Sequence, residues 1–545
     1  MEKGEVEEKV MPSPVISSSS SSISSSGSSS HDTISLASNH DDGHNNGSPS
    51  PHNQDYIVVS FSPNDPENPY NWSMKKKSLL LLCATLTCLN STMGSTIASA
   101  NLFPLLAAEF NVPAGPQSVL PASLYLIGFC FGPIIFAPLS ENYGRKPILV
   151  TGFLLFVAST AGASVAPTWW SFLLMRFLCG TFGSPPLSVF GGVIADCFEE
   201  EVQRGRMLMV WSAATFIGPL GAPVLGGFVG GVLGWRWVFW IALIFAGVTL
   251  ASVLVIPETL ASKILKRKAE RMNKEEPGRE DGRRYVSPAE LSQKSVLVTL
   301  KTTLLRPLEL LCGEMVVILT SLYIGFIYSV FYMMVQMYHA IFVGVYGFSP
   351  GVSGLMFTII GLGTIIGCFI CWWCDPITLR LSAKHPTKRA EYLRLPLACI
   401  GGPFFVISIL WIGLSARSDV HWAVPLVATV PYGIAYNIMW VAMINYVADA
   451  YGIYSASALA ALGTTRSIAG ALLPLAIEDM LQALGIAKSC ALLAGISAVL
   501  AAVPFCFVAY GDKIRAASKF SAALKSDRRQ EEGALARVTS HLSAV

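Results

Sequence analysis

Long apolar runs recur from residue 78 to residue 509, separated by short polar stretches. At 1.5 Å per residue a helix of about twenty residues crosses the roughly 30 Å hydrocarbon core of a bilayer, so each run predicts a membrane helix. The runs place twelve of them, at 78–99, 118–139, 147–166, 170–195, 207–231, 235–256, 312–339, 351–374, 395–415, 422–447, 456–478 and 487–509. The expected fold is an all-α membrane protein, with twelve transmembrane helices in two six-helix bundles, 71–256 and 312–510.

Polar segments complete the division. Residues 1–70, with a serine-rich run at 17–30 followed by His, Asp, Asn and Gly, bury too little apolar surface to fold and are expected to be a disordered cytosolic tail. Residues 257–311 hold Lys263-Ile-Leu-Lys-Arg-Lys268 and mixed charges up to Arg284, expected as a cytosolic linker along the membrane surface; 511–545 are a cytosolic tail. Pro138-Leu-Ser-Glu-Asn-Tyr-Gly-Arg-Lys146 is expected as a charged loop between the second and third helices. Gly144 lets the backbone turn, Arg145 and Lys146 hold the loop in the cytosol, and Glu141 sits at the helix end where it can pair with a base.

Charge tests this map. With both termini inside, nearly all of the 38 Lys and Arg fall on cytosolic segments; only Arg236, Arg417 and Lys488 fall on the other side, while Arg176 and Arg466 lie within helices. One helix too many or too few would invert the alternation and erase the bias. At 52% hydrophobic, 13% charged and a mean hydropathy of +0.52, the chain lies outside the range of soluble enzymes. The net charge of +3 is spread over loops without interleaved aromatics, so no nucleic-acid partner is expected. The twelve cysteines lie in or beside apolar runs and read as packing residues, with no metal or disulfide framework. No His-x-x-His pair, nucleophile elbow or phosphate loop occurs, so the chain is not expected to be an enzyme.

The fifth helix carries Gly218-Pro-Leu-Gly-Ala-Pro-Val-Leu-Gly-Gly227. Gly218, Gly221, Gly226 and Gly227 let a neighbouring backbone approach, and Pro219 and Pro223 remove backbone donors and bend the helix. This is the expected pivot between halves, where bulk at Gly221 or Gly226 should jam rocking. Gly354, Gly361, Gly363 and Gly367 of the eighth helix are its expected partners across the interface. Gly128 and Gly132, in a helix ending near Glu141, and Gly363 and Gly367, in one ending near Asp375, form a faint repeat between the halves.

Polar and aromatic residues at membrane depth sketch a substrate cavity: Asn90 in the first helix, Tyr323, Tyr328, Tyr332 and Gln336 in the seventh, and Tyr432, Tyr436, Asn437 and Trp440 in the tenth. Their need for hydrogen-bond partners favours inward positions. Arg176 and Arg466 add positive charge at depth, while no Asp or Glu lies in the middle of a helix. A buried arginine costs at least a few kcal/mol unless it is paired, hydrated or bonded to carbonyls. Two readings stay open: the arginines bond carbonyls, or they line a cavity that favours an anion.

Further motifs are Asn68-Pro-Tyr-Asn-Trp-Ser73, Arg176-Phe-Leu-Cys-Gly180 leading to Asp196, Pro257-Glu-Thr259, Arg306-Pro307, and Asn445-Tyr-Val-Ala-Asp449-Ala-Tyr-Gly452 followed by Arg466-Ser467. With the Pro138–Lys146 stretch and the fifth helix, in this order over 68–520, they resemble the major facilitator superfamily, and within it the fungal twelve-span drug:proton antiporters. The resemblance implies two bundles rocking around a central cavity and export of small molecules, with a proton gradient as driving force and no bound cofactor. It also implies a charge network of Glu141, Arg145 and Asp196 that holds one access state, with Asp449 in a matching motif. The expected partners are the bilayer and a small-molecule substrate; the chain is expected to be a monomer in the plasma membrane with both termini cytosolic. The substrate reads as an organic acid or other secreted secondary metabolite, with a multidrug or polyamine efflux pump, or a nutrient importer of the same fold, as alternatives.

Overall fold

Inside hydrocarbon a backbone N–H or C=O finds no water, so a spanning segment must close its hydrogen bonds on itself, and the apolar runs become helices. A computed structural model of the protein describes residues 56–113, 115–276, 283–291, 296–384 and 394–516; the expectations for the two tails beyond 56 and 516 lie outside these residues. In chain order the first ten membrane helices are Met74–Thr96, Leu120–Tyr143, Arg145–Ser164, Trp169–Cys197, Glu201–Leu233, Trp235–Val255, Met315–Val345, Pro350–Lys384, Leu395–Ser415 and Ala423–Tyr451. An eleventh apolar stretch, Ser455–Gly511, is 57 residues long. That is roughly 85 Å at 1.5 Å per residue, more than two bilayer cores. Gly485, at φ 74°, breaks it, so it supplies both the eleventh and the twelfth pass.

Two boundaries differ from expectation for the same reason. The second helix runs on through Ser140, Glu141 and Asn142 to Tyr143, and only Gly144, at φ 106°, parts it from the third; the expected loop is almost all helix. The eighth helix likewise passes its expected end near residue 374 and continues to Lys384. Polar residues mark where a helix leaves hydrocarbon, and a helix emerging into water need not stop there.

Without a hydrophobic drive between helices in lipid, close backbone approach decides which ones pair. In the first half, Gly128 of the second helix lies against Phe177 and Thr181 of the fourth, Gly180 lies against Tyr125, and Gly132 faces Ser184. In the second half, Gly363 of the eighth helix lies against Val430 and Gly433 of the tenth, and Gly367 faces Asn437. The same four-residue spacing makes the same joint twice. Gly363 and Gly367 therefore face their own half, contrary to the expectation that they cross the interface. The halves meet where the fifth helix packs on the eighth and the second on the eleventh.

Residues 56–70, 257–276 and 283–291, expected as disordered tail and surface linker, build with 71–73 a small module at the end of the bundles that carries Arg145, called here the basic end. Strand Tyr56–Val58 pairs in parallel with Arg284–Val286. Helix Ala261–Glu275 lies beside them, with Leu265, Ala269 and Tyr285 packed on Val59. Asp65 pairs with Lys268 at 2.6 Å, and Glu67 with Arg271 at 2.7 Å. The linker charges thus find partners in the tail, which is why neither segment behaves as its composition suggests. Trp72 anchors the module on the first bundle, in a cluster with Val189, Phe190 and Val193. The remainder of the linker is a helix, Val296–Gly313, packed mainly on the eleventh and seventh helices.

Candidate functional site

Three arrangements could serve transport: a cavity between the bundles, a charge cluster at the basic end, and contacts between the halves at the opposite end.

The cavity is built where the first, fifth, seventh, tenth and eleventh helices face one another. Thr92, Thr215, Phe216, Pro219, Tyr328, Phe331, Tyr332, Tyr436 and Arg466 line it, with Phe129 and Leu187. Small polar residues spaced by four and then three on the first helix, Cys88, Thr92 and Ser95, give that helix a hydrophilic stripe. Ser95 Oγ accepts from the Tyr332 hydroxyl at 2.8 Å, across the two halves, and Tyr332 and Tyr328 hydroxyls lie 3.3 Å apart. Thr92 donates to the Cys88 carbonyl at 2.8 Å, and Thr215 Oγ1 lies 3.2 Å from Cys88 Sγ. In this conformation the space among these side chains admits about one water molecule, so the cavity is closed down.

Among the described residues, Arg466 is its one charged lining residue. Its guanidinium lies over the rings of Tyr328 and Trp440, 4.6 Å from each centroid, and its buried Nε has no hydrogen-bond partner. No ion pair to Arg466 exists among the described residues. Arg176 is different. It donates to the carbonyls of Gly94 at 2.7 Å and Pro121 at 3.2 Å and sits 4.6 Å from the Tyr125 ring, in a separate cleft inside the first bundle.

Of the expected cavity residues, Tyr328, Tyr332, Tyr436, Trp440 and Arg466 come together. Asn90 bonds Thr249 and shares the Arg176 cleft. Tyr323 donates to Met439 Sδ, Tyr432 stacks on Phe405, and Asn437 packs on Gly367, all within the second half. Gln336 is buried one turn beyond Tyr332 without lining the cavity. Each bundle has an interior of its own as well as a face on the cavity, and inward-facing chemistry looks the same for both. Phe216 and Phe331 were missed; their signal was a place one turn from Pro219 and next to Tyr332.

At the basic end, Arg145 Nε donates to Asp196 Oδ2 at 3.2 Å and Nη1 to Ser140 Oγ at 2.8 Å. Glu141, expected in this network, is exposed and makes no ion pair among the described residues, because the extended second helix points it outward. Its place is taken by Glu258, which is buried and accepts from the N–H groups of Arg145 at 2.9 Å, Lys146 at 3.3 Å, Thr259 at 3.0 Å and Leu260 at 3.1 Å. These include free donors at the start of the third helix, where a carboxylate is favoured. A Cβ on Gly144 would strike this carboxylate. The second half repeats the ion pair: Arg394, opening the ninth helix, donates to Asp449 near the end of the tenth at 3.2 Å.

On the fifth helix, Pro223 lacks the N–H that would bond the Pro219 carbonyl, and the Thr96 hydroxyl bonds it at 2.6 Å instead. A Cβ on Gly218 would meet Thr92, one on Gly227 the Pro350 backbone, and one on Gly354 the Pro223 carbonyl. Gly221 faces open space and Gly226 makes only ordinary contacts, so within the expected pivot stretch the close approach runs through Gly218, Pro223 and Gly227 rather than through Gly221 and Gly226. At the end opposite the basic one, Ser118 donates to Glu478 at 3.1 Å, and Asn101 Oδ1 meets His339 Nδ1 at 2.8 Å.

The family model described as Major Facilitator Superfamily matches residues 80–474. Among curated relatives, an efflux pump of Fusarium oxysporum, FUBT, is 35% identical over 467 residues, 85% of this chain and 77% of that protein. The major facilitator superfamily multidrug transporter mdrA of Aspergillus fumigatus is 34% identical over 477 residues, 87% of this chain and 77% of its own length. A crystal structure of a D-xylose-proton symporter superposes with a TM-score of 0.58 at 16% identity, over 79% of this chain and 98% of that one, a likeness of fold.

Proposed function

Since the chain belongs to the major facilitator superfamily, as a membrane transporter rather than an enzyme, we propose that it exports an organic acid or other acidic secreted metabolite by alternating access. In this reading the protein works in the plasma membrane with both termini in the cytosol, as a monomer, and inward proton flow drives the export. The observation that carries the reading is Arg466: a guanidinium in the central cavity with no carboxylate beside it among the described residues and an unbonded Nε. A buried cation of this kind repels a polyamine and attracts an anion. Arg176 gives two of its donors to the carbonyls of Pro121 and Gly94, which supports Arg466 as the cation that meets the substrate.

The test is uptake by inside-out plasma-membrane vesicles with an acidic lumen, using a panel of organic acids beside spermidine. An acid is expected to accumulate, a protonophore to stop it, and Arg466→Ala to lower it at least about tenfold, as expected for losing a bond to a charged group. Accumulation of spermidine without any acid overturns the anion reading and restores the polyamine pump.

A further inference from the structure

Resting on that anion-export reading, we propose that the transported anion is a flat aromatic monocarboxylate, its carboxylate on the edge of Arg466 and its ring among the aromatic walls of the cavity. The Tyr328 and Trp440 rings both lie against the guanidinium, 4.6 Å from its carbon, which favours approach of a ligand along its edge. That edge presents parallel N–H donors in one plane, the geometry that takes a carboxylate through two bonds, and Nε is unspent. Arg466 is 9% exposed, so a partner there is drawn in with little competition from water.

Several of the other polar groups of the cavity are already engaged within the protein. The Tyr332 hydroxyl is given to Ser95 and that of Thr92 to the Cys88 carbonyl, while Thr215 is engaged with Cys88. One cation with no second charged group accommodates one carboxylate. A second carboxylate would be buried among rings without a partner, which is strongly disfavoured. The walls then select the remainder of the ligand. Phe216 stands edge-on to Tyr436 and Trp440 at 5.5 and 5.8 Å, and Phe331 stacks on Tyr436 at 5.4 Å. A flat ring placed among these walls meets the same offset and edge preferences that the rings satisfy with one another.

Binding to the purified full-length protein in nanodiscs, followed by titration calorimetry with simple probes, tests this. Benzoate is expected to bind at least about tenfold more tightly than benzamide, its neutral counterpart, and a few-fold more tightly than cyclohexanecarboxylate. Arg466→Gln should remove the first difference. Phe216→Leu should remove the second and keep the first, so a fold defect in one variant leaves the other to decide. Terephthalate or succinate binding more tightly than benzoate overturns the monocarboxylate proposal and leaves acid export standing. Benzylamine binding more tightly than benzoate overturns both.

Discussion

A carboxylate that bonds backbone N–H groups at a helix start holds the chain in place more firmly than one exposed to water. Glu258→Ala would leave donors at the start of the third helix unpaired at a buried site, a cost of about 1–3 kcal/mol. The solubilised variant should melt measurably lower than wild type, whereas Glu141→Ala should change stability by less than about 0.5 kcal/mol. An equal loss in both would return Glu141 to the network. The Arg145–Asp196 pair was legible in the sequence because its residues sit in motifs with a recognisable order. Glu258 was visible only as part of Pro257-Glu-Thr259, since the partners that tie it to the third helix are backbone groups more than a hundred residues earlier and leave no side-chain signature. Arg176 and Arg466 looked alike in the sequence for a similar reason: carbonyl partners become visible only once the helices are packed.

Among elements, the fifth helix shows that glycine spacing marks a close contact without naming its face. Gly227→Leu would drive its side chain into the Pro350 backbone, and transport should fall at least about tenfold while the protein reaches the membrane. Gly221→Leu, facing open space, should transport near the wild-type rate; a loss equal to that of Gly227→Leu would put the contact back at Gly221. The repeated glycines of the second and eighth helices were legible as a pattern, but their partners in the fourth and tenth were not, because a repeat reports symmetry and says nothing of which neighbour fills each position.

The module at the basic end makes a separate prediction about pH. Burial pushes the Asp65 carboxyl up, but its bond to Lys268 and the N–H donors around it outweigh this and hold it below its ordinary value of 3.8. A carboxyl depressed by folding contributes its stability fully above that ordinary value and loses it as pH falls through the lower folded value. The Tyr56–Val58 and Arg284–Val286 pairing should therefore be intact at neutral pH and loosen below about pH 4. Asp65→Asn should loosen it at neutral pH, seen as faster hydrogen exchange at Tyr285 and Val286. Unchanged exchange in the variant would mean that the apolar cluster around Tyr285 holds the strands alone.

At the scale of the whole molecule, the number of passes and the division into halves were legible because hydrocarbon leaves a chain few options. The conformation was not, since open and closed forms share one apolar pattern. Contacts between halves at the end away from Arg145 hold this one: Ser118 with Glu478, Asn101 with His339, and Gly227 with Pro350. Replacing Asn101 and His339 together by Ala should favour opening there, lengthening spin-label distances between positions 232 and 424 in a cysteine-depleted protein. An unchanged distance distribution would show that these two side chains only accompany the closure.

The linker is bound at both ends, its front to the first bundle through the strands and Trp72, its back to the eleventh and seventh helices. Leu291 ends the described part of the front anchorage and Val296 begins the helix of the back one, five steps apart in the chain. Fully extended, those steps reach roughly 17 Å. A segment that looks like a generous hinge in the sequence is thus a short leash, and its length caps how far the basic end can gape and so how bulky a cargo can enter from that side.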